Sequence, residues 1–315
     1  MRFEDWRSSD KVEDRRGDGD GGGGYGGGFG MPMGTGGLGI GTIVVLGLIG
    51  WALGIDPRLL IGGAEVFTRN SPGYQQPYQP PISTRPTQKN RPAPNDEAGR
   101  FVSKVLAANE DRWKEIFQKS NRRYEPPRLV LYQGGTRSGC GTAQAAMGPF
   151  YCPSDKRIYL DTAFFRDLER RFRGCDVGSS TCQFAQAYVI AHEFGHHVQN
   201  LLDILPGVQR RQQGLGKVEA NRLQVRVELQ ADCFAGVWAY HQQGKQAFLD
   251  PGDVDAALRT AAAIGDDTLQ RRSQGTVVPD SFTHGSSEQR VRWFNTGFKG
   301  GTVEGCNTFS PTARL

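Results

Sequence analysis

Apolar positions along this chain follow three patterns, and each pattern predicts a different element. Residues 36–55, GGLGIGTIVVLGLIGWALGI, run for twenty positions without a charge. At the helical rise that length matches the hydrocarbon thickness of a bilayer, which predicts a transmembrane helix. The segment begins too late, and its apolar part is too long, for a cleaved signal peptide. From residue 96 onward Phe101, Val105, Trp113, Ile116 and Phe117 recur at helical spacing, so an amphipathic helix opens the folded domain. Arg128–Tyr132 and Arg157–Asp161 predict short strands, the second through alternating Ile158 and Leu160. Helical spacing then predicts helices over Thr162–Phe172, Gln183–Leu202, Lys217–Gln242, Val254–Ile264 and Ser287–Phe298, with breaks at Gly214, Gly216, Pro251 and Pro279. The expected fold class is α+β, mostly helical with a small sheet, in a domain spanning 96–315.

The remaining segments read as connections. Residues 1–35 open with a charged run from Arg2 to Arg16 and pass into a glycine-dominated stretch, which cannot bury enough apolar surface to offset its ordering entropy. A disordered tail is expected there. Residues 56–95 hold Pro72, Pro77, Pro80, Pro81, Pro86, Pro92 and Pro94 among polar residues, the composition of an extended stalk. Arg2, Arg7, Lys11, Arg15 and Arg16 place the short N-terminal side in the cytoplasm, which puts the long C-terminal domain outside it. Gly37 with Gly41 and Gly50 with Gly54 have the spacing of paired membrane helices, so a homo-oligomer through this helix is one alternative; a glycine-rich segment also yields such spacings by chance.

Composition narrows the function. At 315 residues the chain is long enough for an enzyme, while 37% apolar residues and 43 glycines mean that part of it is not packed core. The net charge of +5 arises from 38 basic and 33 acidic groups that are interspersed. No basic stripe with interleaved aromatics is present, and nucleic acid is excluded as a partner. The six cysteines include no CxxC pair. Outside the cytoplasm they can form disulfides. Short loops make Cys140–Cys152 and Cys175–Cys182 the simplest pairs, leaving Cys233–Cys306 by elimination among fifteen connectivities.

The chemistry is concentrated in His192-Glu193-Phe194-Gly195-His196, an HExxH within the apolar helical run AYVIAHEFGHHVQNLL. Residues four apart share a helix face, so His192 and His196 can present imidazole nitrogens to one Zn2+ ion, with Glu193 beside them as general base. A third ligand is required. The extended HExxHxxGxxH pattern fails, since Gln199 and Leu202 occupy the positions that need Gly and His. Thirty-two residues beyond His196, Glu228 and Asp232 share a face of the next long helix. Glu228 would ligate, and Asp232 would accept a hydrogen bond from a ligand imidazole and orient it. His284, in a loop before a helix, suits an oxyanion donor or, equally, a surface or capping histidine. Tyr240 is a weaker candidate for the oxyanion. His197 faces elsewhere and reads either as a support behind a metal ligand or as structural, and His241 suits a helix C-terminus. Ala143 to Tyr151 offers a sheet edge along which a peptide could lie, or else a loop closed by a disulfide; Pro149 argues against a central strand.

These blocks resemble the Glu-ligand zincin metallopeptidases and, more closely, a bacterial family of neutral zinc metallopeptidases. The resemblance runs through SSDKVEDRRG, the glycine-rich apolar segment, CGTAQAAMGPFYCPSDKRIYLD, AHEFGHHVQN, ELQADCFAGVWA and HGSSEQRVRWFNTGF. It implies a zincin-like domain on the outer side of a bacterial inner membrane, a polypeptide substrate, and an oxyanion role for His284. The spacing from His196 to Glu228 departs from that of better-known Glu-zincins. The rival reading is a non-enzymatic, membrane-anchored scaffold or chaperone that keeps zinc for stability, against which the intact Glu193 speaks.

Overall fold

The computed structural model describes residues 1–17, 94–144, 148–170 and 180–315. Residues 18–35 of the expected disordered tail, the expected transmembrane helix at 36–55, nearly all of the stalk and Cys175 lie outside these residues. Among the described residues no helix is long and apolar enough to cross a membrane.

Strand β1 (Val12–Asp14) is followed by helix α1 (Glu97–Lys119), then β2 (Arg128–Tyr132), β3 (Gly135–Ser138), β4 (Gly141–Gln144), β5 (Phe150–Cys152) and β6 (Arg157–Asp161). Helices come next: α2 (Ala163–Arg170), α3 (Ser180–Leu201), α4 (Ile204–Gln212), α5 (Lys217–Lys245), α6 (Asp253–Ala263), α7 (Asp266–Gln274) and α8 (Ser287–Gly300). The architecture is α+β, mostly helical with a small sheet. The sheet has the order β1-β2-β6-β5, in which β1, β2 and β6 run parallel and β5 closes the edge antiparallel to β6. A separate β3–β4 hairpin is tied to β5 by the Cys140–Cys152 disulfide.

Helix α1 starts where expected because the Asp96 side chain accepts a hydrogen bond from Gly99 N at 3.2 Å, capping the first turn. Its apolar stripe, Phe101, Val102, Val105, Leu106, Trp113 and Phe117, faces the core. Helix α5 is central, with Phe234 and Trp238 fully buried in the core cluster that also holds Phe184, Tyr188 and Phe194 of α3 and Phe294 of α8. Helices α5 and α8 touch backbone to backbone at Gly236 and Gly297, where a Cβ on either would overlap the other helix. The Cys233–Cys306 disulfide joins α5 to the segment after α8. Cys182 is also disulfide-bonded.

The N-terminal segment departs from expectation. Residues 1–17 are part of the fold and not a disordered tail, with Met1, Trp6 and Val12 buried. Their apolar residues are too few for a periodic signal, and the charges that suggested disorder are engaged in ion pairs with the folded domain. The domain therefore includes this segment and does not begin at 96. Two helices were not foreseen. Helix α4 contains Pro206 and Gly207, residue types that disfavour a helix interior, and α7, DDTLQRRSQ, has a single large apolar residue. Among the described residues from Ala143 to Tyr151, Ala143 and Gln144 belong to the β3–β4 hairpin, and the sheet edge is formed by Phe150–Cys152.

Candidate metal centre

Helix α3 carries His192, Glu193 and His196, and the two imidazoles share one face with ring centroids 4.8 Å apart. Helix α5 runs beside it and aims Glu228 at both. Glu228 Oε2 lies 3.3 Å from His192 Nε2 and 3.6 Å from His196 Nε2. One donor atom from each of the three residues falls within 4.8 Å of the others. Gly195 permits this approach, since a Cβ there would stand 3.0 Å from the Ala231 carbonyl oxygen and force the helices apart.

Each imidazole turns Nε2 inward because Nδ1 is engaged elsewhere. His192 Nδ1 donates to Asp232 Oδ1 at 2.8 Å, and His196 Nδ1 donates to Gln199 Oε1 at 2.9 Å. Gln199 is itself held, its Nε2 donating to Val227 O at 2.8 Å and Gln230 Oε1 at 3.0 Å. Two nitrogens and a carboxylate oxygen at these separations fit tetrahedral zinc, whose bonds of about 2.0–2.1 Å place ligand atoms roughly 3.3 Å apart. The electrostatics agree. Burial opposes a charge on His192, but Asp232 and Glu228 outweigh it and raise its pKa to about 10. The same negative field would receive a metal cation.

Asp232 has no exposure to solvent, yet remains ionised: burial pushes its pKa up, while Arg290 and His192 bring it down to about 2. Arg290 Nε donates to Oδ2 at 2.9 Å and its Nη2 to Oδ1 at 2.9 Å. Tyr188 adds its hydroxyl to Oδ1 at 2.5 Å. Glu193 is only 7% exposed and has no hydrogen bond or ion pair with another described residue, so its carboxylate is uncommitted.

His284 sits in a loop built around Asp266, whose Oδ2 accepts from the backbone nitrogens of Thr283, His284 and Gly285 at 2.7, 2.6 and 3.0 Å. Asp266 Oδ1 takes a further hydrogen bond from His284 Nδ1 at 3.2 Å, leaving Nε2 free to face solvent or substrate. Gly285, at φ +93°, turns the loop onto α5, its Cβ position lying 3.1 Å from Leu229 one residue past Glu228. Desolvation opposes the His284 cation, but Asp266 and Glu228 raise its pKa above the ordinary imidazole value.

Of its two alternatives, His197 takes the structural one. It is fully buried, donates from Nε2 to Glu125 O at 2.7 Å, and accepts at Nδ1 from Tyr151 OH at 3.0 Å. Burial lowers its pKa to about 4, keeping it neutral. His241, in the last turns of α5, bonds Gly301 O at 2.8 Å. Tyr240 is corrected: it is 45% exposed and lies twelve residues, about 18 Å along the helix, from Glu228, too far to reach the same centre.

Sequence reasoning missed Gln199, Arg290, Tyr188 and Asp266. Gln199 stands three residues after His196 on one helix face, a usable signal. Arg290 and Arg292 are alike in sequence, and only packing buries the first.

Over residues 1–309 the chain matches the family described as "Putative neutral zinc metallopeptidase". It is 47% identical over 309 residues to the uncharacterized protein YpfJ of Escherichia coli (strain K12), covering 98% of this chain and 99% of the relative. It is 39% identical over 269 residues to the uncharacterized protein Rv2575 of Mycobacterium tuberculosis, covering 82% and 84%. No solved structure matches it.

Proposed function

This chain belongs to the neutral zinc metallopeptidase family, and from that premise we propose that it hydrolyses peptide bonds at a centre held by His192, His196 and Glu228, on a zincin-like domain. The observation that carries the reading is the convergence of these three donor groups beside an uncommitted, nearly buried Glu193. Zinc, when bound, supplies Lewis acidity to water and to the scissile carbonyl. Glu193 accepts the proton of the attacking water and returns it to the nitrogen of the leaving amine. Nε2 of His284, with Asp266 fixing the ring, donates toward the carbonyl oxygen as negative charge develops there. An extended polypeptide would lie along β5, the antiparallel edge strand, whose Tyr151 is bonded to His197 next to His196.

The test uses the purified full-length chain and its Glu193→Gln variant, with zinc per chain and cleavage of an unfolded protein substrate as readouts. Equal zinc, with cleavage only by the unaltered chain, supports the peptidase. Retained cleavage in the variant sinks the role of Glu193. Zinc without cleavage by either chain would favour the scaffold reading.

A further inference from the structure

We infer that residues 1–17 and residues 94–315 lie on the same side of any membrane the chain meets. The N-terminal segment is threaded through the domain. Trp6 packs against Phe248 and Trp238, with ring centroids 5.3 and 6.5 Å apart. Ser9 N bonds Ser103 O at 3.1 Å, Ser103 Oγ returns a bond to Ser9 O at 2.9 Å, and Ser9 Oγ reaches Glu110 Oε1 at 2.7 Å. Val12, Glu13 and Asp14 then pair with Leu129, Val130 and Leu131 of β2.

The points where the chain leaves the domain and re-enters it are clamped together. Arg16 donates from Nη1 to Asp96 Oδ2 at 2.7 Å and from Nη2 to Asp96 Oδ1 at 2.8 Å, while its Nη2 also meets Asp14 Oδ2 at 2.6 Å. Asp96 is the cap of α1. A segment whose two ends are joined in this way cannot have them on opposite faces of a bilayer. The split arrangement of a cytoplasmic N-terminus and an external domain is therefore excluded.

The charges that suggested that arrangement have other partners. Arg2 pairs with Asp250, Arg7 with Glu110 and Asp111, Lys11 with Asp10, Arg15 with Glu13, and Arg16 with Asp14 and Asp96. Arg2, Arg7 and Arg16 tie the segment to the rest of the domain through these pairs, Arg15 does so through Thr136 Oγ1 and Arg137 O, and Lys11 pairs within the segment, so these cations need not act as a free positive cluster at a membrane.

The experiment expresses the full chain in bacteria with one new thiol, Asp5→Cys or Ala247→Cys, both at exposed positions. Each is treated with a membrane-impermeant maleimide in spheroplasts and after lysis; no described cysteine of the parent is free to react. The expected result is that both thiols behave alike, labelled in intact spheroplasts together or only after lysis together. Labelling of one in intact spheroplasts and of the other only after lysis overturns the inference. Ser8→Cys and Gln246→Cys, also exposed, form an independent second pair.

Discussion

Arg290 grips Asp232 with two hydrogen bonds of 2.9 Å across 58 residues of sequence, and Asp232 in turn holds His192. The arginine thus touches the candidate metal centre at one remove. Its reach depends on the close crossing of α5 and α8 at Gly236 and Gly297, which sets both side chains in the same buried layer.

Arg290→Met is expected to destabilise the fold by about 3–5 kcal/mol, because it leaves the Asp232 carboxylate buried with its main counter-charge gone. Arg290→Lys restores charge but not the two-pronged geometry, so recovery should be partial. Urea unfolding midpoints read both effects. Full stability in the Met variant would show that the pair contributes nothing.

Gln199→Leu and Asp232→Asn should each weaken zinc about 10–100-fold, since each removes a group that fixes a ligand imidazole. Competition with a chelator measures this. Because Gln199 is buried and bonded to α5 by two hydrogen bonds, the Leu variant also reports whether that tie sets the angle of His196. Unchanged zinc affinity in the Leu variant would refute its orienting role.

The Asp266–His284 pair predicts an alkaline limit. The folded pKa of His284 is raised, so the stability it contributes is complete below the ordinary imidazole value, near 6.5, and is lost as pH rises through the folded value. Asp266 is shifted the other way: burial raises its pKa, but hydrogen bonds and the charge of His284 lower it overall. Its contribution is present above the ordinary carboxyl value and disappears as pH falls. If protonated His284 serves the reaction, Asp266→Asn should move the alkaline limb of the kcat/KM profile to lower pH. A limb that stays in place would remove His284 from the reaction.

Deleting residues 2–17 should cost several kcal/mol, given about 1.5–3 kcal/mol for each large apolar side chain taken from the core. Trp6 and Val12 are lost with β1, and Leu129 and Leu131 of β2 lose a neighbour. A fragment beginning at residue 96 would show the same defect. Equal urea midpoints for the full and shortened chains would mean that the segment is dispensable.

Much of the site was legible before folding because its residues obey local periodicities. His192 and His196 share a face by helical spacing alone, as do Glu228 and Asp232, and the metal chemistry comes from those residue types. The long helices and the β2 and β6 strands were read for the same reason: apolar spacing is a one-dimensional signal of a buried face. Tertiary structure decided what depends on distant encounters. It tied Gln199 to Val227 and Gln230 of α5; it buried Arg290 and left Arg292 part-exposed; it built the His284 loop around a carboxylate eighteen residues away. It also drew a charged, glycine-flanked N-terminus into the sheet beside β2. No periodicity records such pairings, because a three-residue strand carries too few positions for a pattern and an ion pair becomes visible only when the chain brings its two members together.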